Sequence, residues 1–563
     1  SMINTQWSHG SHLTALARLF ANYFLMGIIF GVISAIPTII ISGFFKLDDG
    51  SRVLGAFIPS IIFLVTVTRF FDFVAGFFLI LFSSIILLVS ESTFKTSKPR
   101  HDAILVGIVI ASSIILSASA TGIPDPMADN FPECKAKSEV GGAFEGKIVI
   151  LGFDGASMKT LQPLLEEGRT PNIKKIVEGG VYGTMESLKY DGELMSPVIW
   201  MSIFTGQHPD DHGIRDYTIL ELGDNYLESY QTPYSSYLRR TPALWNIASD
   251  AGYSVLFSGL WTTWPAEEVN GVIISDHFVY DGWHQSRTKS QFSKTVYPPS
   301  LLQDIEEFIL LPDDVERESL DLFMKGPGDE SIKGLNTISH PAWTGLYGRL
   351  KMAYSLDKTY IDSGLYVHDT FNPDISFLYL EGLDIVQHYF WGAYRPQDFE
   401  EVGLSSQEIE NYEDVIPGFY VYYDQVLGRL MEENPENTTY IILSDHGLEA
   451  IKDRNQFSKE NFLFADHSMD AMFIANGPGF RKNQEIGGMT VLDVTPTLLY
   501  YLGVPVSQDM DGVIRKEVFT KEFHEGRECY KTIRRRDSIV RADNEPVGDD
   551  EMMNKLRDLG YLQ

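Results

Sequence analysis

The hydrophobic pattern divides the chain in two. Residues 20–45 (FANYFLMGIIFGVISAIPTIIISGFF) are free of charge and long enough to cross about 30 Å of hydrocarbon as a helix. Two further apolar runs, 53–68 and 73–90, flank the short break Arg69-Phe-Phe-Asp72, and a fourth covers 103–121. A cleaved signal peptide would explain only the first of these. The pattern predicts an α-helical transmembrane segment over 1–122 with about four spans, or three if 53–90 is not a tight hairpin. Ser1-Met2 reads as a cloning scar ahead of a native start.

After a linker (123–145) containing Gly, Pro and Asp, the pattern becomes that of an α/β domain, expected over 146–530. Lys147-Ile-Val-Ile-Leu151 is a short apolar run of the kind that forms a buried parallel strand, and it leads into Gly152-Phe-Asp154-Gly155. Residues 171–179 (PNIKKIVEG) predict a helix, with Pro at its start and Gly at its end. The layout of a strand followed by an acid returns at 376–384 (SFLYLEGLD) and at 439–445 (TYIILSD). Strands alternating with helices predict a mostly parallel sheet flanked by helices, with ligands at the carboxyl ends of the strands. Residues 220–240 and 280–345 fit this pattern poorly. They are expected either as insertions forming a cap over the crevice or as plain surface excursions. The tail, 531–563, holds the basic run Lys531-Thr-Ile-Arg-Arg-Arg536, which suits lipid headgroups or a solvated segment, and an acidic amphipathic helix at 548–561.

Charge then narrows the partners. The net charge of −31 excludes a nucleic-acid polymer as substrate, because that binding needs a basic surface. Around the apolar runs, loops 46–52 and 92–102 hold Lys46, Arg52, Lys95, Lys98 and Arg100, against Arg18 and Arg69 on the other side. That bias puts loop 92–102 in the cytoplasm and the large domain outside it, whether periplasmic, cell-surface or luminal. Only two cysteines occur, Cys134 and Cys529, which excludes cysteine-rich zinc sites and disulfide-dense scaffolds. A single bridge between them and a pair of free thiols both remain open.

The candidate chemistry lies at the strand ends. If a helix starts after 376–383, Asp384 and His388 are four apart and share a face, half of a zinc-type site. Asp445 and His446, followed by Gly447, can both reach one ion through a turn. Asp154 ends the first strand. Taken singly, each is matched by a bland reading as a solvated surface group. Ser196-Pro197 reads as a helix N-cap followed by Pro at the first helical position, where the helix dipole favours phosphate. No Ser/His/Asp triad spacing is evident, so metal activation is the better route to a serine nucleophile.

The ordered set FDG (153–155), SPVIWMSIFTGQHPDDHGI (196–214), LDIVQH (383–388), SDHG (444–447) and DHSM (466–469) resembles the alkaline phosphatase superfamily. It is most similar to the type I phosphodiesterase/nucleotide pyrophosphatase branch, over roughly 147–505. The resemblance implies two divalent metal ions, zinc first and manganese as the alternative. One would be held by Asp384, His388 and His467, the other by Asp154, Asp445, His446 and the Ser196 oxygen. Ser196 falls on the nucleophile position, while His208 and His212 are expected to be structural. Tyr217 stands where nucleotide pyrophosphatases place an Asn that holds a phosphate oxygen, and Met195 replaces the Lys that often precedes the nucleophile. Nucleotide specificity is therefore not carried over. The sulfatase branch is disfavoured, since Ser196-Pro197-Val198 lacks its spacing and its Arg.

The function expected from these features is a membrane-anchored phosphodiesterase or phosphatase working through a phosphoserine. Its substrate is a phosphate ester, possible lipid-linked forms included. The alternative is a transferase of phospholipid headgroups such as phosphoethanolamine, since four spans exceed what tethering needs. A catalytically inactive receptor is a third reading.

Overall fold

Strand Lys147–Phe153 (β1) is buried on both faces, and its side chains alternate between two separate cores. Val149, Leu151 and Phe153 belong to one, Ile148 and Ile150 to the other. A strand with no wet face needs helices above and below it, and the chain supplies them. The computed structural model describes residues 146–222, 229–280, 292–328, 345–433, 437–454, 463–525 and 532–533. All belong to the second of two units into which the chain divides, 133–563. The apolar runs of 1–122, both cysteines and the tail helix lie outside the described residues. Among the described residues no helix is long and apolar enough to cross a membrane.

After β1 come helices Met158–Glu166 (α1) and Pro171–Gly179 (α2), strand Val181–Glu186 (β2) and helix Ser196–Thr205 (α3). The prediction for 171–179 matches α2 end to end, with Pro171 in the first turn, where its missing N–H costs nothing. Strands Thr218–Leu222 (β3) and Ser229–Pro233 (β4) pair, among the described residues, only with each other, in antiparallel sense. Strands Val255–Ser258 (β5), Gly271–Ile274 (β6) and Val296–Tyr297 (β7) follow. The described part of the second poorly fitting stretch is therefore built into the domain. It contributes β7 and buries Leu301, Ile305, Leu320 and Phe323 in the first core.

Next are the long helix Leu346–Phe371 (α4), strand Ile375–Leu380 (β8), helix Gly382–Tyr394 (α5), helix Val415–Glu433 (α6) and strand Thr438–Leu443 (β9). The chain then makes strands Gly447–Ala450 (β10), Ala465–Ser468 (β11), Asp470–Asn476 (β12) and Gln484–Thr490 (β13), and helix Val494–Leu502 (α7). Among the described residues nine strands form one sheet in the order β13-β2-β12-β9-β1-β8-β5-β6-β7. Its centre, β9-β1-β8-β5-β6, is parallel throughout, while β12 and β7 run antiparallel to their neighbours. Helices α1, α2, α4, α5 and α6 cover the first core, and α3 and α7 the second. The domain is thus mixed α/β, with a large, mostly parallel sheet between helices.

Register brings the important strand ends level. Phe153 of β1 pairs with Leu380 of β8, and Gly152 pairs with Leu443 of β9. Three adjacent parallel strands therefore finish side by side at the carboxyl edge of the sheet, where α/β folds place their ligands.

Candidate metal centre

Each strand end delivers its residues by a different local device. Asp154 directly follows β1, and its N–H donates to the Leu380 carbonyl across the sheet (3.1 Å). Gly155 turns the chain with φ of +71°, a conformation open to glycine at little cost. An added Cβ there would stand 2.5 Å from Leu448 Cδ1 and 3.0 Å from Asp384 Oδ1. The Gly155 N–H faces Asp445 Oδ1 at 3.4 Å, and its carbonyl accepts from Gln387 Nε2 at 2.9 Å. Three segments of the site thus meet at a backbone too close for a side chain.

Asp384 and His388 lie in the first two turns of α5. The four-residue spacing puts His388 Nε2 3.4 Å from Asp384 Oδ1. The start of α5 is fixed from below by α4. Asp357 accepts from the Gly382 N–H (2.9 Å), and the Tyr423 hydroxyl accepts from Leu383 N–H (3.0 Å) while donating to Asp357. These groups satisfy backbone donors that a helix start leaves over. Burial pushes the Asp357 carboxyl up to about 7, against the hydrogen bonds from Tyr423 and Gly382.

Ser196 is the first residue of α3, and Met195 is its cap. The sequence places this helix start one residue too late: Pro197 occupies the second helical position, not the first. Every residue of α3 is buried, and its aromatic side chains lock it to the sheet. Phe204 meets Phe377 edge-on with centroids 4.8 Å apart, and Trp200 meets Tyr379 edge-on at 5.3 Å. Such pairs add about 0.5–1.5 kcal/mol each beyond the area they bury, so the serine at the helix start is rigidly held.

The described structure brings Asp154, Ser196, Asp384, His388, Asp445, His446 and His467 together. Ser196 Oγ lies 3.1 Å from His446 Nε2 and 3.5 Å from Asp154 Oδ1. His446 Nε2 is 3.4 Å from Asp154 Oδ1 and 3.3 Å from Asp445 Oδ2. On the other side, His467 Nε2 is 3.6 Å from Asp384 Oδ1 and 3.0 Å from His388 Nε2. The rings of His446 and His467 stack at 3.8 Å and join the two halves.

The imidazoles are all turned the same way. The Nδ1 of His388 faces the Ala465 carbonyl (2.8 Å), that of His467 the Leu194 carbonyl (2.9 Å) and that of His446 the Gly447 carbonyl (3.1 Å). A carbonyl can only accept, so each Nδ1 carries a hydrogen and each Nε2 is the ring nitrogen turned toward the centre. This is the outer-shell arrangement that orients metal-binding histidines.

Charge supports the same conclusion. Burial pushes the Asp154 carboxyl up to about 8, with the Asp384 charge adding to it. Asp445 is driven well above the carboxylate range by burial and then by Asp154 and Asp384. Burial and the neighbouring His467 hold His446 well below the usual imidazole value. Burial also opposes charge on His467, but the hydrogen bond and charge of Asp384 lift it to about 9. For Asp384, burial is outweighed by His388 and His467, which hold it well below the ordinary range. Asp445 Oδ2 is buried and accepts no hydrogen bond among the described residues. Three dry carboxylates that cannot all ionise unaided, with three inward-turned imidazole nitrogens, make a donor set suited to divalent cations.

The metal-capable groupings differ from the expected partition in having His446 where His388 was expected, although His388 Nε2 also lies 3.4 Å from Asp384 Oδ1. Asp154, Asp445 and His446 form one set, and Asp384, His446 and His467 another, with ligand atoms within 4.8 Å of one another in each. His446 thus stands within reach of both halves. Adjacency to Asp445 hid this, because the second contact comes from β11.

Tyr217 is buried against the same centre. Burial pushes its phenol well above the usual value, the charges of Asp384 and Asp154 add to this, and the Ser196 hydroxyl and backbone N–H act against it. His212 is fully occupied elsewhere, with Nε2 3.0 Å from Ser202 Oγ and Nδ1 accepting from Ile214 N–H. His208 is exposed, and its backbone N–H donates to Asp511. Two residues escaped the sequence reading. Trp200 Nε1 donates to Asp154 Oδ2 at 3.0 Å, and the Tyr379 hydroxyl donates to the same oxygen. The only sequence signal was the four-residue step from Ser196 to Trp200 inside one helix.

No curated protein matches the chain significantly. Among solved structures, human ectonucleotide pyrophosphatase / phosphodiesterase 5 is 14% identical, with 67% of this chain and 100% of that chain covered at a TM-score of 0.38. The murine counterpart is 13% identical, with 66% and 100% covered at the same TM-score of 0.38. A structure of the inactive murine protein in complex with AMP is equally similar, with 13% identity, 67% and 100% covered and a TM-score of 0.38. At that TM-score the likeness carries no argument. The sequence profile of the family described as type I phosphodiesterase / nucleotide pyrophosphatase matches residues 148–492, more than half of the chain. The chain belongs to the type I phosphodiesterase / nucleotide pyrophosphatase family.

Proposed function

We propose that this chain is a divalent-metal-dependent phosphodiesterase in which the Ser196 oxygen bonds to phosphorus as one ester oxygen leaves with the serine proton as an alcohol, and water then cleaves the resulting phosphoserine ester to release the phosphomonoester and restore the hydroxyl. The observation that carries this reading is the position of Ser196 Oγ, 3.1 Å from His446 Nε2 and 3.5 Å from Asp154 Oδ1, at the start of a buried helix. The helix start aims the positive end of its dipole at an incoming phosphate. Asp154, Asp445 and His446 would hold one ion beside Ser196, and Asp384, His388 and His467 the other. Two such ions, zinc or manganese, supply the charge that lowers the serine pKa and offsets charge on the entering and leaving oxygens. Nitrogen donors mixed with carboxylates favour zinc. The Tyr217 phenol, buried beside Ser196, Asp154 and Asp384, would meet a phosphate oxygen as Ser196 attacks.

The test is turnover of bis-p-nitrophenyl phosphate by purified full-length protein before and after dialysis against a chelator. Hydrolysis of the diester is expected to exceed that of p-nitrophenyl phosphate. It should fall at least about a hundredfold on metal removal and return with zinc or manganese. Diester hydrolysis that survives complete metal removal would sink the proposal. Headgroup transfer stays as a second reading because of the four apolar runs in 1–122. Its mark is transfer from a labelled phospholipid to an acceptor without net hydrolysis.

We further propose, on the bias of Lys and Arg around those runs, that the chain is membrane-anchored with this domain outside the cytoplasm. Protease added to intact cells or spheroplasts is then expected to digest it. Full protection, with digestion only after lysis, would reverse the orientation.

A further inference from the structure

Asp154 divides its two oxygens between two tasks. Oδ1 faces the reaction centre, 3.5 Å from Ser196 Oγ and 3.4 Å from His446 Nε2. Oδ2 faces away and accepts from Trp200 Nε1 at 3.0 Å and from the Tyr379 hydroxyl. Behind Tyr379 stands Trp261, whose Nε1 lies 2.7 Å from the tyrosine oxygen. An indole N–H can only donate. The Tyr379 oxygen therefore accepts from Trp261, and its single proton is committed to Asp154. The chain of donors has one direction, from Trp261 through Tyr379 to Asp154 Oδ2.

The three partners come from three separate elements: Tyr379 from β8, Trp200 from α3 and Trp261 from the segment after β5. All are nearly inaccessible, at 1%, 0% and 3% exposure respectively. Water therefore has little access to replace either donor. A carboxylate gripped through one oxygen by two donors from different directions has its plane fixed, and its other oxygen is aimed.

We infer that Tyr379, itself oriented by Trp261, is a positioning residue that aims Asp154 Oδ1 at the half of the centre containing Ser196, and so sets that half's affinity for a divalent cation. Neither residue lies among the five sequence motifs that carry the family resemblance. The inference rests on the two-metal reading above.

Tyr379→Phe removes one hydroxyl and keeps the ring that packs edge-on against Trp200. Zinc titrated calorimetrically into chelator-treated full-length protein should bind in two events in the unaltered chain. In Tyr379→Phe one event should weaken by about 10- to 100-fold, the usual effect of losing an outer-shell partner, while the other is unchanged. Turnover of bis-p-nitrophenyl phosphate at saturating zinc should fall in kcat with KM little altered. Trp261→Phe leaves the tyrosine proton in place and should weaken the same event less. The double variant should be no worse than Tyr379→Phe alone, because the two act in series. A purely structural role would lower the melting temperature without selecting one zinc event, and would give additive losses. Unchanged zinc affinity in Tyr379→Phe, or additive losses, overturns the inference and leaves the two-metal reading standing. Failure of the unaltered protein to bind zinc or manganese overturns both.

Discussion

Replacing Ser196 by alanine is expected to lower phosphodiester turnover by a factor on the order of 10⁴ or more while two divalent ions stay bound. The size follows from what is lost. Ser196 Oγ is the hydroxyl of α3 that faces both His446 and Asp154, and no other residue of that helix start carries an oxygen toward the centre. Alanine fills nearly the same volume at a fully buried position, so the fold has little reason to change. Binding to the helix start and to the cations would persist, which is why KM should move far less than kcat. Acid-quenched turnover followed by peptide mass spectrometry gives the direct check. A phosphoryl group still carrying the substrate's remaining ester is expected on the peptide containing Ser196 in the unaltered protein and on none in the variant. Activity within tenfold of normal would rule the serine out as nucleophile.

The second large effect is expected at His446. In the proposed two-metal centre, replacing His388 or His467 would remove a ligand from one half only. His446 Nε2 is close to Asp154, Asp445 and Ser196, and it also groups with Asp384 and His467. His446→Ala should therefore reduce metal content in both halves and cut activity by far more than the 10- to 100-fold typical of an outer-shell change. Metal analysis of the purified variant, beside His388→Ala, distinguishes the cases. His388→Ala should lose close to one ion per chain and His446→Ala more than one. Equal losses would show that His446 serves a single ion, as the simpler partition has it.

Much of this centre was legible because the relevant signals are local. Asp384 and His388 sit one helical turn apart, and an apolar run followed by an acid marks a parallel strand with its working end. Those features survive in one dimension, as do the start and end of α2. Tyr379, Trp200 and Trp261 were not legible as a group. Their joint role depends on β8, α3 and the segment after β5 meeting in space, and in sequence each reads as an ordinary core aromatic. The antiparallel insertion of β12 between β2 and β9 was equally hidden, since an apolar strand pattern does not state direction. In contrast, the apolar runs before residue 122 were legible only in the sequence.

The hairpin of β10 and β11 bears on exchange kinetics. These strands pair with each other and with no strand of the large sheet. Yet β11 carries His467, and the Ala465 carbonyl that orients His388. A two-stranded unit opens at lower free energy than the central strands of a nine-stranded sheet. When it opens, His467 departs and His388 loses its guide, while Asp154, Asp445 and Ser196 remain on β1, the end of β9 and α3. The two halves of the centre should thus differ in residence time. In the proposed two-metal centre, the half built on Asp384 would then exchange its ion faster than the half beside Ser196.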